Sequence, residues 1–395
     1  MSHIRLPISS FVMPKQVLCR SGAISALSAL PATRVAIIST KRMSNNFAIE
    51  KLKDNPKRRF VLEIIPPSWS GEPILADMAE SLKAIEEFQP DYIVAIGGGR
   101  IIDGAKLLWA FYEHPNLLIE RLEVAFAIPK LRKKSLFCAI PTTAGTGSEV
   151  THHSVIIDTR TNNLEKISCR GEGFVPMVSI IDYELTLSKP KRLTIDSAID
   201  TLTHGIEAYV SKKATLFSDR MALDTIRLVT ENIYAVDKNP KDIKAREGLM
   251  LAATLGGLAF SNASICLVHG MSRPLGSNFK VPHGLSNAML LPTITEFSLG
   301  HAKSRYAECS RAGKFSSVDD DDDTACKKLL SGLYKINKDF EVPSMKKFGI
   351  DKKNFEEQLE NMATDAEISG APNLNPRVPS VKEMIDLYGE AWRAF

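Results

Sequence analysis

The sequence predicts a two-part fold: an α/β half built on a parallel sheet, followed by an all-helical half. Three observations predict it. Short apolar runs alternate with amphipathic segments up to about residue 187, and beyond that point the patterning is helical throughout. The turn Ser188-Lys189-Pro190-Lys191 separates the two regimes, so domains are expected at 1–188 and 189–395.

The strands come first. RVAIIS (34–39), FVLEII (60–65), DYIVAIG (91–97), SLFCAIP (135–141) and VSIID (178–182) are short, continuous and rich in β-branched residues. Such runs suit strands covered on both faces. Between them, 74–88 and 101–113 carry apolar residues at three-to-four spacing, and strand–helix alternation is the pattern of a doubly wound parallel sheet. The later segments LTIDSAIDTLTHGIEAYVS, SDRMALDTIRLVTENIYAV and AREGLMLAATLGGLAF read as helices. From Gly248 to Ser272 the chain carries no Asp, Glu, Lys or Arg, long enough to span a bilayer. Gly256-Gly257 and Ser261-Asn262-Ala263-Ser264 would then sit in hydrocarbon, so a buried helical pair is expected and no membrane partner. The run Asp319–Asp323 lacks the alternating ligands and glycine of a calcium loop and reads as an exposed link between helices.

Composition excludes several classes. The 395 residues are 44% hydrophobic and 24% charged, with a net charge of +4, ordinary for a globular protein with a sizeable core. A nucleic-acid binder would show a clustered basic excess; Lys57-Arg58-Arg59 and the basic stretch 130–134 read as solvated faces. Cys19, Cys138, Cys169, Cys266, Cys309 and Cys326 form no CxxC, and the polar, proline-broken start resembles no secretory signal. Free thiols in a reducing cytoplasm are expected.

Four stretches carry chemistry. In AIGGGRIIDGAK (95–106) a strand runs through three glycines into a helix. Glycines admit close backbone approach and positive φ, and a helix start offers N–H donors and a positive dipole end, which suits phosphate. The alternative is a tight strand–helix turn. PTTAGTGSEVTHHS (141–154) follows the next strand and offers hydroxyls and glycines to a cofactor, or is a plain surface loop. Its His152 and His153 are expected to diverge, which argues against a shared metal role. In DTLTHGIEAYV (200–210) a helix stacks Asp200 and His204 at i and i+4, with Glu207 on the same stripe, while Ile199, Leu202 and Ile206 face the core. Such a pair is either a hydrogen-bonded couple or half a metal site. HGMSRPLGSNFKVPHG (269–284) places His269 and His283 on two sides of a constrained loop. With Asp200 and His204 they make a one-carboxylate, three-histidine set suited to a first-row divalent ion in a catalytic rather than structural role.

These motifs resemble those of the iron-containing (group III) alcohol dehydrogenase family. The family's GGGSxxDxAK, PTTxGTGSEVT, DALTHAIEAY-like helix and HxxxHxxGxxxxxPHG stand here as GGGRIIDGAK, PTTAGTGSEVT, DTLTHGIEAY and HGMSRPLGSNFKVPHG, and the likeness runs nearly end to end. It implies a Rossmann-like N-terminal domain, an all-α C-terminal domain (the dehydroquinate synthase-like architecture) and NAD(P)H in the cleft between them. It implies one divalent metal on Asp200, His204, His269 and His283, Fe²⁺ foremost, with Zn²⁺ or another first-row ion as the alternative. Gly97, Gly98 and Gly99 would meet the pyrophosphate. Asp103, Thr142, Thr143, Thr146 and Thr151 are matched cofactor contacts, and Lys166 a ribose contact. A small aldehyde or alcohol as substrate and a homodimer or larger assembly follow from the same resemblance. A glycerol dehydrogenase-like or dehydroquinate synthase-like enzyme is the alternative within this architecture, and a non-enzymatic metal or nucleotide binder the alternative outside it.

Three departures from the family pattern matter. Arg100 replaces a serine after the glycines. Ser39-Thr40-Lys41-Arg42 stands where many members carry an aspartate for the adenosine ribose, so a 2′-phosphate meets Thr40, Lys41 and Arg42 instead of a carboxylate, and NADPH is expected to be accepted. Arg273 replaces a histidine that could relay protons. Arginine stays charged near neutral pH, so it either binds an anionic substrate group or pairs with a carboxylate such as Glu207 to order the loop.

Overall fold

The computed structural model describes residues 10–43, 46, 49–50, 60–66, 73–118, 120–124, 127–158 and 165–394; Lys57-Arg58-Arg59 lies outside them. Eight strands form: β1 Gln16–Cys19, β2 Arg34–Ser39, β3 Phe60–Ile64, β4 Tyr92–Gly97, β5 Leu136–Pro141, β6 His153–Asp158, β7 Glu165–Arg170 and β8 Val178–Ile181. Six make one sheet in the order β1-β8-β5-β4-β2-β3, every pair parallel. β6 and β7 form a separate antiparallel hairpin.

The five apolar runs read as strands are all there, and burial on both faces explains their lack of alternation. Ala36, Ile38, Ile93 and Ala95 pack into one core on one sheet face, and Val35, Ile37, Val94 and Ile96 into another on the opposite face. Two features escaped the sequence pattern. β1 is a four-residue edge strand, and the hairpin mixes polar and apolar residues. β2 pairs with β3 on one side and β4 on the other, so the chain reverses direction across the sheet there. The carboxyl ends of β2 and β4 therefore flank a crevice of the kind in which open α/β sheets bind ligands.

Helices α1 Ala79–Phe88 and α2 Gly99–Glu113 belong to this half. The last strand ends at Ile181, and from Lys191 onward the longer elements are all helices. They are α3 Lys191–Val210, α4 Leu216–Lys238, α5 Ile243–Ala263, α6 Leu267–Phe279, α7 His283–Leu299, α8 Lys303–Ala312, α9 Asp322–Asp339, α10 Lys352–Ile368 and α11 Val381–Arg393. The observed fold class is thus a parallel-sheet α/β half plus a helical half. α3 runs through a third core, that of the helical half, where Ile199, Leu202 and Ile206 are buried as their spacing predicts.

The charge-free run is a buried pair, α5 and α6, bent by 106°. Among the described residues no single helix is long and apolar enough to cross a membrane. Its small residues permit close approach: a Cβ on Gly257 would lie 2.7 Å from the Gly147 carbonyl oxygen. The aspartate run links two helices as expected, but it also starts one. Asp321 caps α9 through the Thr324 N–H, and Asp322 and Asp323 occupy its positive first turn.

The stretch expected to be a rigid loop between two histidines is mostly helix. α6 continues through Pro274 to Phe279, and only Lys280, Val281 and Pro282 interrupt it before α7 begins at His283. Lys280 takes left-handed backbone, φ 54°, which ends α6. Pro292 in α7 removes an N–H that would serve the Ala288 carbonyl; Asn337 Nδ2 from α9 donates to that oxygen at 2.6 Å.

Candidate metal centre and cofactor cleft

The glycine motif lies where the strand–helix pattern placed it. Gly98 caps α2, and the Ile101 and Ile102 N–H groups bond its carbonyl. The three glycines are needed for space rather than for unusual φ. Gly98 has φ −74°, and neither Gly97 nor Gly99 is among the positive-φ glycines, Gly22, Gly147, Gly349 and Gly370. A Cβ on Gly97 would sit 2.5 Å from Ile101 Cβ, and one on Gly99 2.7 Å from Thr146 Cγ2. Side chains there would separate the helix start from the second loop and block approach to its N–H groups.

That second loop is held by a buried amine. Lys106, in α2, is fully buried, and its Nζ donates to the carbonyls of Ser148 (2.7 Å), His153 (2.8 Å) and Thr151 (2.9 Å) and to Thr151 Oγ1 (3.1 Å). Burial pushes its pKa down to about 8, against the pull of Asp103 and Glu149. Asp103 also belongs to this staple. Its carboxylate accepts from Ser148 Oγ and from the Val155 N–H at 3.1 Å. Thr142 N–H bonds the Gly97 carbonyl at 2.9 Å and Thr143 lies against Gly98. Several matched cofactor residues are therefore occupied in shaping the loop, while Gly99, Arg100, Asp103, Thr146 and Thr151 line the cleft. Thr40 and Lys41 follow β2 at the same end of the sheet. Lys166 lies on β7, with its side chain outside the described residues.

A cationic group gathers beside the glycines. Burial lowers the Lys189 pKa, and the charges of Arg42 and Arg100 lower it further, which puts all three within electrostatic reach of one another. Lys189 was not singled out from the sequence; it lies in the turn between the halves, far in the chain from the cofactor motifs.

The four metal candidates converge from three helices. Asp200 and His204 share α3, His269 is in the first turn of α6, and His283 opens α7. All three imidazole Nε2 atoms face Asp200 Oδ1, at 3.4 Å (His269), 3.6 Å (His283) and 3.9 Å (His204). Metal bonds of ~2.0–2.1 Å in a tetrahedron place neighbouring ligand atoms about 3.4 Å apart, so Asp200, His269 and His283 are spaced to share one divalent ion. Asp200, His269 and His283 form the tightest group and His204 stands slightly back. Burial would raise the Asp200 pKa, but the surrounding imidazoles outweigh it and hold the carboxyl well below the usual range. His204 is pushed down to about 4, chiefly by burial, which keeps its ring neutral and able to ligate.

Two of the imidazoles are visibly aimed by their neighbours. Glu207 Oε2 takes a 2.6 Å hydrogen bond from His269 Nδ1 and one from the Cys266 N–H, and its Oε1 takes one from the Val268 N–H. One carboxylate thus caps the start of α6 and fixes the His269 ring with Nε2 towards the cluster. His204 is gripped by stacking: Phe260 lies 4.4 Å away on ring centroids and His269 4.6 Å, while its Nδ1 is buried with no hydrogen-bond partner. Asn287, one turn after His283 on α7, donates from Nδ2 to Asp200 Oδ1 at 2.6 Å and approaches His269 Nε2 at 3.1 Å. It carries no motif signal, although its i+4 spacing from a ligand is visible once the helix is assigned.

His152 and His153 do not diverge as expected. Their rings stack at 4.4 Å, with His152 Nδ1 on Ser261 Oγ at 3.0 Å. They do not join the metal group; among the described residues that group is Asp200, His269 and His283.

Both halves meet in one cleft, which together with the solvent at its mouth spans about 730 Å³. Gly99, Arg100, Thr146 and Thr151 line one side, the four metal candidates the other, with His153, Phe260 and Arg273 between. A phosphate-binding helix start and an imidazole–carboxylate cluster open onto the same space.

Comparison with known proteins agrees over nearly the whole chain. The model for iron-containing alcohol dehydrogenase matches residues 14–183, and that for the C-terminal part of the Fe-containing alcohol dehydrogenase family matches residues 194–392. The NADPH-dependent butanol dehydrogenase of Clostridium saccharobutylicum is 30% identical over 380 residues, 96% of each chain. The bifunctional aldehyde-alcohol dehydrogenase of Escherichia coli is 31% identical over 401 residues, but the chain spans only 45% of that longer protein. The solved iron-containing alcohol dehydrogenase of Thermococcus thioreducens is 32% identical with a TM-score of 0.87, covering 98% of this chain and 100% of that one. With both halves matched and the site assembled where the motifs lie, the chain belongs to the iron-containing alcohol dehydrogenase family, NAD(P)-dependent oxidoreductases acting on alcohols.

Proposed function

We propose that the chain reduces a small aldehyde bearing an anionic group, accepts NADPH, and holds its divalent ion on Asp200, His204, His269 and His283. The observation that carries this reading is the single cleft lined at once by the glycine-capped helix start, the imidazole–carboxylate cluster and Arg273. When bound, the ion supplies Lewis acidity at a carbonyl oxygen and the nicotinamide supplies hydride. The chain's own residues do the rest. Glu207 and Phe260 keep two imidazoles aimed, Lys106 keeps the second cofactor loop closed on α2, and Phe260 and Ile265 give the cleft an apolar wall that limits water.

Arg273 lines the cleft beside the metal candidates, and we take it to hold a carboxylate, sulfonate or phosphonate of the substrate. A screen over neutral, carboxylated, sulfonated and phosphonated short aldehydes tests this. Arg273→Ala should lower kcat/KM for the anionic aldehydes roughly tenfold to a hundredfold, the scale of a charge-assisted hydrogen bond, and spare the neutral ones. An unchanged ratio sinks the assignment.

Arg42, Arg100 and Lys189 support acceptance of a 2′-phosphate. Lys189→Met should raise KM for NADPH more than for NADH, and a hundredfold preference of the unaltered enzyme for NADH would overturn the reading. We further take 1–188 and 189–395 as two domains, supported by the change from strands to helices between Ile181 and Lys191. Six free cysteines, five of them buried, support a reducing cytoplasm. Leu216 and Phe217 at the start of α4 leave apolar surface exposed, which supports a homodimer or larger assembly; light scattering on the purified enzyme checks it.

A further inference from the structure

Beside the metal cleft lies a second, open cavity, about 660 Å³ with the solvent at its mouth, that shares a wall with it. His153 and Phe260 line both, and the second is otherwise bounded by Arg170, Lys213, His152 and Glu172 among others. Three independent features of it call for a ligand. The Arg170 Nε, at the end of β7, is buried with no hydrogen-bond partner, and so is the Nδ1 of half-buried His153. A buried donor left unmade is costly, and such groups in native proteins usually find a partner. Second, no ion pair joins Arg170 or Lys213 to a carboxylate among the described residues, Glu172 included, although Glu172 lies at the exposed rim. Third, the field in the cavity is positive. Both imidazoles are kept neutral first by burial and then by surrounding cations: Lys106, Arg170 and Lys213 act on His152, and Arg170, Arg273 and Lys106 on His153.

We propose that this cavity is an oxyanion site separate from the metal cleft, taking a phosphate or carboxylate on Arg170 and Lys213 with a hydrogen bond from His153. Its occupant touches the far side of the His153–Phe260 wall. Phe260 also grips His204, so filling the cavity acts on the face of the metal cluster without entering it. The anion is either free in solution or the distal end of an extended substrate; the chemistry of the site is the same for both.

Thermal shift of the purified full-length protein with inorganic phosphate, against chloride at matched ionic strength, reads binding without needing turnover. Phosphate should raise Tm saturably. Lys213→Met, at an exposed position that leaves the fold intact, and Arg170→Met should each weaken the apparent phosphate affinity tenfold or more, whereas Arg273→Ala should leave it unchanged. No saturable shift in the unaltered protein overturns the proposal. So does a shift that survives both Lys213→Met and Arg170→Met, which would place phosphate at the glycine-capped helix start, or one abolished by Arg273→Ala, which would place it in the metal cleft. With the metal-loaded enzyme, phosphate that competes with succinic semialdehyde but not with acetaldehyde assigns the site to a substrate's own carboxylate, and equal slowing of both assigns it to a free anion; each requires Lys213 and so supports the site.

Discussion

At the scale of single residues the proposed metal centre depends on groups outside the four candidate ligands. Glu207 spans the His269 ring and the start of α6, so Glu207→Ala loosens both. Loss of such an outer partner lowers metal affinity about 10- to 100-fold, and chelator competition with Zn²⁺ should read that range while circular dichroism shows the helices retained. Asn287 acts on the carboxylate instead. Asn287→Ala removes the donor on Asp200 Oδ1 and should destabilise the metal-free protein more than the loaded one, seen as a larger Tm increment on adding metal. His152 sets a pH limit. It takes a proton near pH 6.5 when unfolded and near pH 4 when folded, the depression arising first from burial and then from the neighbouring cations. The unfolded chain binds more protons in that window, so stability is full above pH 6.5 and falls as the pH drops towards 4, by up to about 3 kcal/mol. His152→Gln should flatten that part of the Tm–pH curve relative to the unaltered protein, even though the ligand imidazoles titrate in both. Much at this scale was legible beforehand. Asp200 and His204 announce themselves by i, i+4 spacing, and His269 and His283 by sitting beside helix-breaking residues. Glu207 was visible as a residue but not in its role, because its partners come from α6, more than fifty positions on. Asn287 was silent because an amide neither titrates nor repeats.

At the scale of elements, the cofactor loop is held by one amine. Lys106→Met leaves three carbonyls, those of Ser148, Thr151 and His153, without their donor. Each such buried acceptor costs about 1–3 kcal/mol, so the variant should lose several kcal/mol, and hydrogen exchange should show the 148–153 segment opening before the sheet does. KM for the cofactor should rise with it. The strands of the main sheet could be read from the chain because double-sided burial leaves runs of apolar residues. β1 could not, since four edge residues with two exposed carry too little pattern, and the hairpin could not, since HSVIID and EKISCR mix polar and apolar positions. The segment from His269 to His283 was misread for a different reason. Two prolines and two glycines suggest a loop, yet Pro274 falls within α6, and packing around Leu275 and Met271 overrides the local penalty.

For the whole molecule, the proposed ligands are drawn from positions 200 to 283 and meet only when α3, α6 and α7 are packed together. The folded state then binds metal far better than the unfolded chain, and metal at a hundred times its Kd should stabilise the protein by about 2.7 kcal/mol. Titrating Zn²⁺ into metal-stripped protein should raise Tm steadily with concentration, and Asp200→Asn should blunt the response by removing the one anionic ligand. A flat Tm would mean that the four side chains do not act as one site.

The contact between Gly147 and Gly257 bears on how such an enzyme can be recombined. There the strand half and the helical half touch backbone to backbone, and a Cβ on Gly147 would lie 2.5 Å from Gly257 Cα. Neither side has a side chain that could rotate away. A chimera joining residues 1–188 of this chain to the second half of a relative should therefore tolerate wide differences along the incoming helix, provided a glycine arrives at the position of Gly257. With any larger residue there, the seam itself is pried open, and the cofactor loop and the metal cluster no longer face the same cleft.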